Sequence, residues 1–159
     1  PIVRQPGIPG LDRKPLHLRN TYNMEEELYE AVMSIVNDYN KAAPELVEHE
    51  TYDCDDAEVL IVAHGVVSRA AQGAVKELRK AGIKAGHFRP VTLRPFPQDA
   101  IRKYAQEAKS ILLVESAYGQ FDKLVKENLY GLTTPITPHF KPGEGITVEE
   151  VVTLVKKMV

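Results

Sequence analysis

The chain has 159 residues, with 20 Lys plus Arg against 22 Asp plus Glu, giving a formal charge of -2. That length suits one domain burying roughly two-thirds of its unfolded surface, and the near-neutral charge, without a basic block or aromatic-basic interleaving, argues against a nucleic-acid partner. The single cysteine, Cys54, excludes an internal disulfide, and no CxxC or Cys/His cluster offers a zinc or iron-sulfur site.

A reducing, cytoplasmic setting follows as an expectation. No apolar run approaches the ~20 residues of a membrane span, and no export signal opens the chain. The first residue is Pro1, as in a fragment or after loss of an initiator methionine.

Pro1 to Thr21 holds four prolines and two glycines without a usable period, which predicts an irregular arm over residues 1–22. Asn23 and Glu26 have capping-box spacing. Met24, Leu28, Ala31, Val32, Ile35, Val36 and Tyr39 then trace one helical face, predicting a linking helix over 23–45 that ends near Ala43, before Pro44. The rest, 46–159, reads as one α/β domain. Leu46 to Tyr52 alternates like a strand exposed on one face, placed at a sheet edge, and Asp53 to Asp56 is a turn.

Val59 to Ala63 is a short β-branched apolar run suited to a strand buried on both faces. At Gly65 the period changes. Val67, Ala70, Ala71, Ala74, Val75 and Leu78 recur every three or four residues, leaving Arg69, Gln72, Lys76, Glu77 and Arg79 on the opposite face. Gly82 is the expected C-cap glycine, Lys84 to Phe88 a weaker strand, and Arg89 to Pro97, with three prolines, an irregular loop.

Pro97 opens the next predicted helix, with Ala100, Ile101, Tyr104, Ala105 and Ala108 inward. Ser110 to Val114 is a second buried strand, with Glu115 at its carboxyl end. Ser116 to Gln120 leads a helix with Phe121, Leu124, Val125 and Leu129 inward, closing near Gly131. Pro135 to Phe140 is β-rich but broken by Pro138, hence an edge or a bend. Thr147 and Glu150 have capping-box spacing ahead of a final helix striped by Val148, Val151, Val152, Val155 and Met158.

Strand ends and the helix N-termini that follow are where open α/β sheets bind ligands. The turn after Ala63 has no GxGxxG, and the chain has no GxxxxGK[ST] and no GxSxG, which speaks against dinucleotide, phosphate-loop and serine-esterase chemistry. His64 is either a base or an ordinary hydrogen-bonded turn histidine without a visible nucleophile beside it. Ser68 either caps its helix or joins Arg69 around an anion. Glu115 is a crevice carboxylate or a helix-capping or interface group.

Arg94 reaches an acidic substrate or partner, or is a solvated loop residue. With Gly65 and Gln120 these complete the candidate interface or anion contacts. No residue is singled out as catalytic or as a metal ligand. Cys54 lies among Asp53, Asp55 and Asp56, which disfavour a thiolate, and their spacing is not that of a calcium loop.

Taken together, IVAHGVVSRAAQGAVKELRKAGIKAGHFRPVTLRPFP followed by ILLVESAYGQF resembles the C-terminal domain of the alpha subunit of 2-oxoacid:ferredoxin oxidoreductases, over roughly Asp56 to Gly131. TLRPFP at its distance from VESAYGQ is the most specific part. Transketolase and the beta subunits of 2-oxoacid dehydrogenases share this domain type, but their equivalent turn usually reads PLD or PFD where this chain has Pro95, Phe96 and Pro97. The helix from Asn23 to Ala43 is similar to the segment that links this domain to the one before it.

The resemblance implies a three-layer α/β/α fold with a mostly parallel five-stranded sheet and an antiparallel edge strand, of the transketolase C-terminal-domain type. It implies a complex that oxidatively decarboxylates a 2-oxoacid to acyl-coenzyme A and passes electrons through iron-sulfur clusters to ferredoxin. Thiamine diphosphate, the clusters and coenzyme A belong to the whole complex, and none is expected on this domain. The implied partners are the preceding domain of the subunit, a thiamine-binding beta subunit and a ferredoxin-like subunit, with no nucleic acid and no membrane. A stand-alone anion- or nucleotide-binding module, or a transketolase-type C-terminal domain, are the competing readings.

Overall fold

The computed structural model describes residues 21–159, so the expectation for the arm falls almost wholly outside the described residues. The chain divides into two units, Pro1–Ala42 and Ala43–Val159. Helix α1, Glu25–Leu46, belongs mostly to the first and has no buried residue. It does not stop before Pro44 as its sequence suggests. A proline this close to the end forfeits only one late hydrogen bond, and the Val47 amide still reaches the Ala43 carbonyl at 3.0 Å.

The second unit runs β1 His49–Tyr52, β2 Val59–Val62, α2 Val67–Lys80, β3 Ala85–Pro90, α3 Gln98–Glu107, β4 Ser110–Glu115, α4 Gln120–Asn128, β5 Ile136–Phe140 and α5 Val148–Lys156. The five strands form one sheet in the order β1-β3-β2-β4-β5. Only the β1–β3 pair is antiparallel. β1 is the expected edge strand, shortened because α1 consumes Leu46, and β3 runs further than expected because His49 pairs with Pro90.

Side chains alternate across β2 and β4, and each face is covered by two helices. Val59, Ile61, Leu112 and Val114 pack with α2 and α5 through Ala71, Val75, Val151 and Val155. Leu60, Val62, Ile111 and Leu113 pack with α3 and α4 through Ile101, Ala105, Phe121 and Val125. All four residues of β2 are buried, which is why the run reads as continuously apolar.

Two junctions depend on glycine. A Cβ on Gly86 would fall 2.6 Å from the Asp53 carbonyl oxygen and 2.9 Å from the Cys54 Cα, so the turn before β2 can cross β3 only there. A Cβ on Gly73 would meet a Val148 methyl at 2.7 Å, which fixes the close approach of α2 to α5. Arg79, expected on the solvent face of α2, instead clamps the same turn. Its guanidinium donates to the Ala85 and Asp53 carbonyls at 2.7 and 2.6 Å and pairs with Asp56 at 2.7 Å.

Helix ends explain most remaining boundaries. Gly82, at φ +80°, closes α2 as expected, with Ile83 N–H donating to Leu78 and Gly82 N–H to Arg79, the two bonds of a Schellman end. Thr147 caps α5, accepting from the Glu150 amide at 3.2 Å. The reciprocal half of the capping box is replaced, because the Glu150 carboxylate accepts from Lys141 and pairs with His139 instead.

Candidate functional site

β2 and β4 are neighbours, and their carboxyl ends lie side by side. After Ala63 the chain turns at Gly65 with φ +60°, the left-handed region that glycine favours. Ser68 does not cap α2, whose N-cap is Val66 without a side-chain bond. Its buried hydroxyl donates to the Ala63 carbonyl at 3.0 Å, tying the first helical turn back to the strand. Arg69 and Arg94 are exposed and form no ion pair among the described residues.

At the β4 end, Glu115 is only 2% exposed, and its carboxylate faces the start of α4. Oε1 accepts from the Gln120 and Phe121 amides at 2.8 and 3.0 Å, and Oε2 from the Asp122 amide at 3.1 Å. These are orphan donors of the helix start, met by a full negative charge at the positive end of the helix dipole. Ser116 to Gly119 is a bend rather than the first turn of a helix, because Gly119 at φ +78° is the N-cap and Glu115 supplies the capping group from the strand.

Between these ends lies a concavity of about 230 Å³ lined by His64, Leu93, Glu115, Gln120 and Phe121 among others. His64, Glu115 and Gln120 are therefore brought together, with Gly65 exposed next to His64. Ser68, Arg69 and Arg94 do not line it. The His64 ring tilts against Phe121 at 4.4 Å between centroids. Burial holds its pKa below the ordinary value, opposed by the Glu115 charge, so the ring is neutral at pH 7. Among the described residues no nucleophile is hydrogen-bonded to either nitrogen, and the nearby carboxylate is already committed to three amides.

A second polar cluster was not singled out by the sequence. On the β1 and β3 pair, Glu50 accepts from the Tyr52 hydroxyl at 2.8 Å and from Arg89 at 2.9 Å. The Tyr52 bond, then Arg89, holds the Glu50 carboxyl below its usual range against burial. Tyr52 stacks on His87 at 5.7 Å. His87 is fully buried; its Nδ1 lies 3.0 Å from the Ile61 carbonyl, which can only accept, while Nε2 has no partner. Burial pushes its pKa down to about 4. The alternation of Glu50 and Tyr52 on one face was legible, but not their register against His87 and Arg89.

Among the described residues no three His, Cys, Asp or Glu side chains are grouped to hold a metal, and no helix is long and apolar enough to cross a membrane. Fold and site together define a three-layer α/β/α module whose strand-end groups are engaged in holding its own helices. The chain belongs to the family of the pyruvate:ferredoxin oxidoreductase core domain II, whose model matches residues 57–152.

It is 38% identical to the ketoisovalerate oxidoreductase subunit VorB of Methanothermobacter marburgensis over 101 residues, 64% of this chain and 29% of that protein. It is 36% identical to the 2-oxoglutarate synthase subunit KorA of Methanocaldococcus jannaschii over 89 residues, 56% of this chain and 24% of that protein. The chain thus spans less than a third of the curated relatives it matches. The fold is also that of part of the 2-oxoglutarate:ferredoxin oxidoreductase of Magnetococcus marinus, with TM-score 0.75, 19% identity, and coverage of 96% of this chain and 27% of that one.

Proposed function

We propose that this chain is a structural and subunit-contact module, the C-terminal domain of an alpha-type subunit in a 2-oxoacid:ferredoxin oxidoreductase, with residues 1–22 an arm, 23–45 a linking helix and 46–159 the module. The observation that carries this reading is the use of Glu115. The one carboxylate in the strand-end crevice is bonded to three α4 amides, so it serves the fold rather than a substrate. An anion would meet a negative wall at a helix N-terminus already filled, which disfavours the stand-alone nucleotide or anion module.

The exposed surface around that crevice suits contact. Val66 is 75% and Tyr118 79% exposed, with Leu93 also exposed, and Arg69 and Arg94 flank them in sequence with charges that form no ion pair among the described residues. Desolvated apolar side chains ringed by charge are how protein interfaces are built. His64, Gly65 and Gln120 belong to this surface.

The complex in this reading oxidatively decarboxylates a 2-oxoacid, transfers the acyl group to coenzyme A and reduces ferredoxin. Its thiamine diphosphate and iron-sulfur clusters sit on a thiamine-binding subunit and a ferredoxin-like subunit. Cys54, buried and with its thiol pushed up to about 11 mainly by burial, is unsuited to ligating a cluster. A cytoplasmic location accords with that single reduced cysteine.

The test is purification from source cells of the complex that contains this sequence. A polypeptide longer than 18 kDa on a denaturing gel, and coenzyme A-dependent ferredoxin reduction by a 2-oxoacid, are expected. A native polypeptide near 18 kDa with no longer form contradicts the reading, as does heat on titrating the pure chain with nucleotide, coenzyme A or phosphate.

A further inference from the structure

The crevice at the β2 and β4 ends holds one charge that no cation of the described residues balances. Glu115 is the only lining residue with a formal charge; Leu93, Gln120, Phe121 and Leu124 have none, and burial keeps His64 neutral. The Glu115 carboxylate is buried and forms no ion pair among the described residues, and Arg69 and Arg94 stand outside the lining.

Hydrogen-bond capacity is left over as well. An ionised carboxylate has about four acceptor positions. The Gln120 and Phe121 amides take two on Oε1 and the Asp122 amide takes one on Oε2, so Oε2 can accept once more. The side chains of His64 and Gln120 line the same concavity without a hydrogen-bond partner among the described residues.

Size and wall chemistry narrow the occupant. At about 230 Å³ the concavity is smaller than the about 300–1,000 Å³ of small-molecule pockets, which suits one inserted side chain rather than a nucleotide or coenzyme A. Leu93, Phe121 and Leu124 supply an apolar wall for an aliphatic stem, and the His64 and Phe121 rings meet at 4.4 Å between centroids. A guanidinium fits these surroundings better than an ammonium. It is more weakly hydrated, stacks on aromatic rings and spreads five donors in a planar fork.

From the unbalanced carboxylate, the apolar wall and the size of the concavity, we infer that this crevice is a socket for one arginine side chain, presented by the partner surface that packs on it in the assembled complex. The guanidinium donates to Glu115 Oε2, and His64 and Gln120 accept from its remaining N–H groups. An arginine seated in a desolvated pocket is a common anchor of protein interfaces. The inference rests on the reading of this chain as a subunit-contact module and adds what the partner must present. Glu115 then serves both sides of the contact, capping α4 within the module and balancing the incoming cation.

The test alters the charge of the socket without touching the cap. Gln120 is exposed and lines the crevice, and its side chain takes no part in the bonds to Glu115. Gln120→Lys adds a competing cation and Gln120→Glu a second acceptor charge. Wild-type and both variant complexes are treated with phenylglyoxal, which adds to accessible guanidinium groups, and the modified arginines are located by peptide mass mapping.

One arginine outside residues 1–159 is expected to react at least ~10-fold faster in the Gln120→Lys complex than in the wild type, and no faster in Gln120→Glu. Assembly should follow the same order, with Gln120→Lys at least ~10-fold weaker and Gln120→Glu at or above the wild type. The inference is overturned if no arginine changes its reactivity, or if the one that changes lies within this chain. Weakening by Gln120→Glu rather than Gln120→Lys, as an acidic occupant would give, overturns it too. Absence of 2-oxoacid oxidation in a complex that shows the expected arginine protection would instead strike at the functional reading, so the two failures are distinguishable.

Discussion

Two strand-to-helix corners sit side by side in this sheet and are closed by different chemistry. At the β2 corner a serine hydroxyl from the helix reaches back to the strand, Ser68 to Ala63. At the β4 corner a carboxylate from the strand reaches forward to the helix, Glu115 to three amides of α4. The first is a neutral tie and the second a buried charge held by a helix dipole. Corners in this position hold ligands in many α/β proteins, and here both are occupied by the protein's own groups.

The largest effect should come from the charged corner. Glu115→Ala leaves three amide donors at a buried helix start without their acceptor, and a loss of about 3 kcal/mol in denaturant-unfolding stability is expected. A loss below about 1 kcal/mol would mean that the α4 end finds other partners and that the corner is not built on this charge.

A comparable but pH-dependent effect separates the polar edge from both corners. His87 is buried neutral, with a pKa of about 4 against an ordinary 6.5. Between those values the unfolded chain binds a proton that the folded chain refuses. Stability is therefore full above about pH 6.5 and falls as pH drops toward 4, by about 3 kcal/mol in total. His87→Asn should flatten that slope in urea titrations at pH 7, 5.5 and 4.5. An unchanged slope would place the acid sensitivity elsewhere.

The neutral corner should matter less. Ser68→Ala removes one buried side-chain bond, and about 1 kcal/mol is expected by the same unfolding measurement. A loss as large as that of Glu115→Ala would erase the distinction between the corners. Smallest of all, Arg69→Ala and Arg94→Ala should change stability of the isolated chain by less than about 0.5 kcal/mol. In the assembled complex they should weaken subunit association in a salt-dependent way, measured by native mass or sedimentation.

The sheet is largely legible in the sequence because its central strands, Val59 to Val62 and Ile111 to Val114, are buried on both faces and bounded by turns. Gly65, Gly82 and the stripe of α2 marked their elements for the same reason: local backbone demands leave local residues. The capping role of Glu115 was also legible as one of two alternatives, since it stands at a strand end ahead of a helix.

What stayed hidden depends on register and close approach between distant segments. Nothing near Arg79 in sequence says that it clamps Asp53 and Ala85, and nothing near Gly86 says that the Asp53–Cys54 backbone crosses there. His87 joins Tyr52 only through the antiparallel pairing of β1 with β3. The helix end at Leu46 departs from its local signal because Pro44 costs little in a last turn.

The role of Glu115 is tested most directly by Glu115→Gln in the assembled complex, a change that keeps the shape and removes the charge. Two quantities are measured on the same preparation: unfolding stability of this chain, and kcat for 2-oxoacid-dependent ferredoxin reduction per assembled complex. A structural cap predicts lowered stability with kcat unchanged once assembly is matched. A fall in kcat of ~100-fold or more, the scale of a lost acid or base, with stability unchanged, would contradict it and make the strand-end crevice an active site.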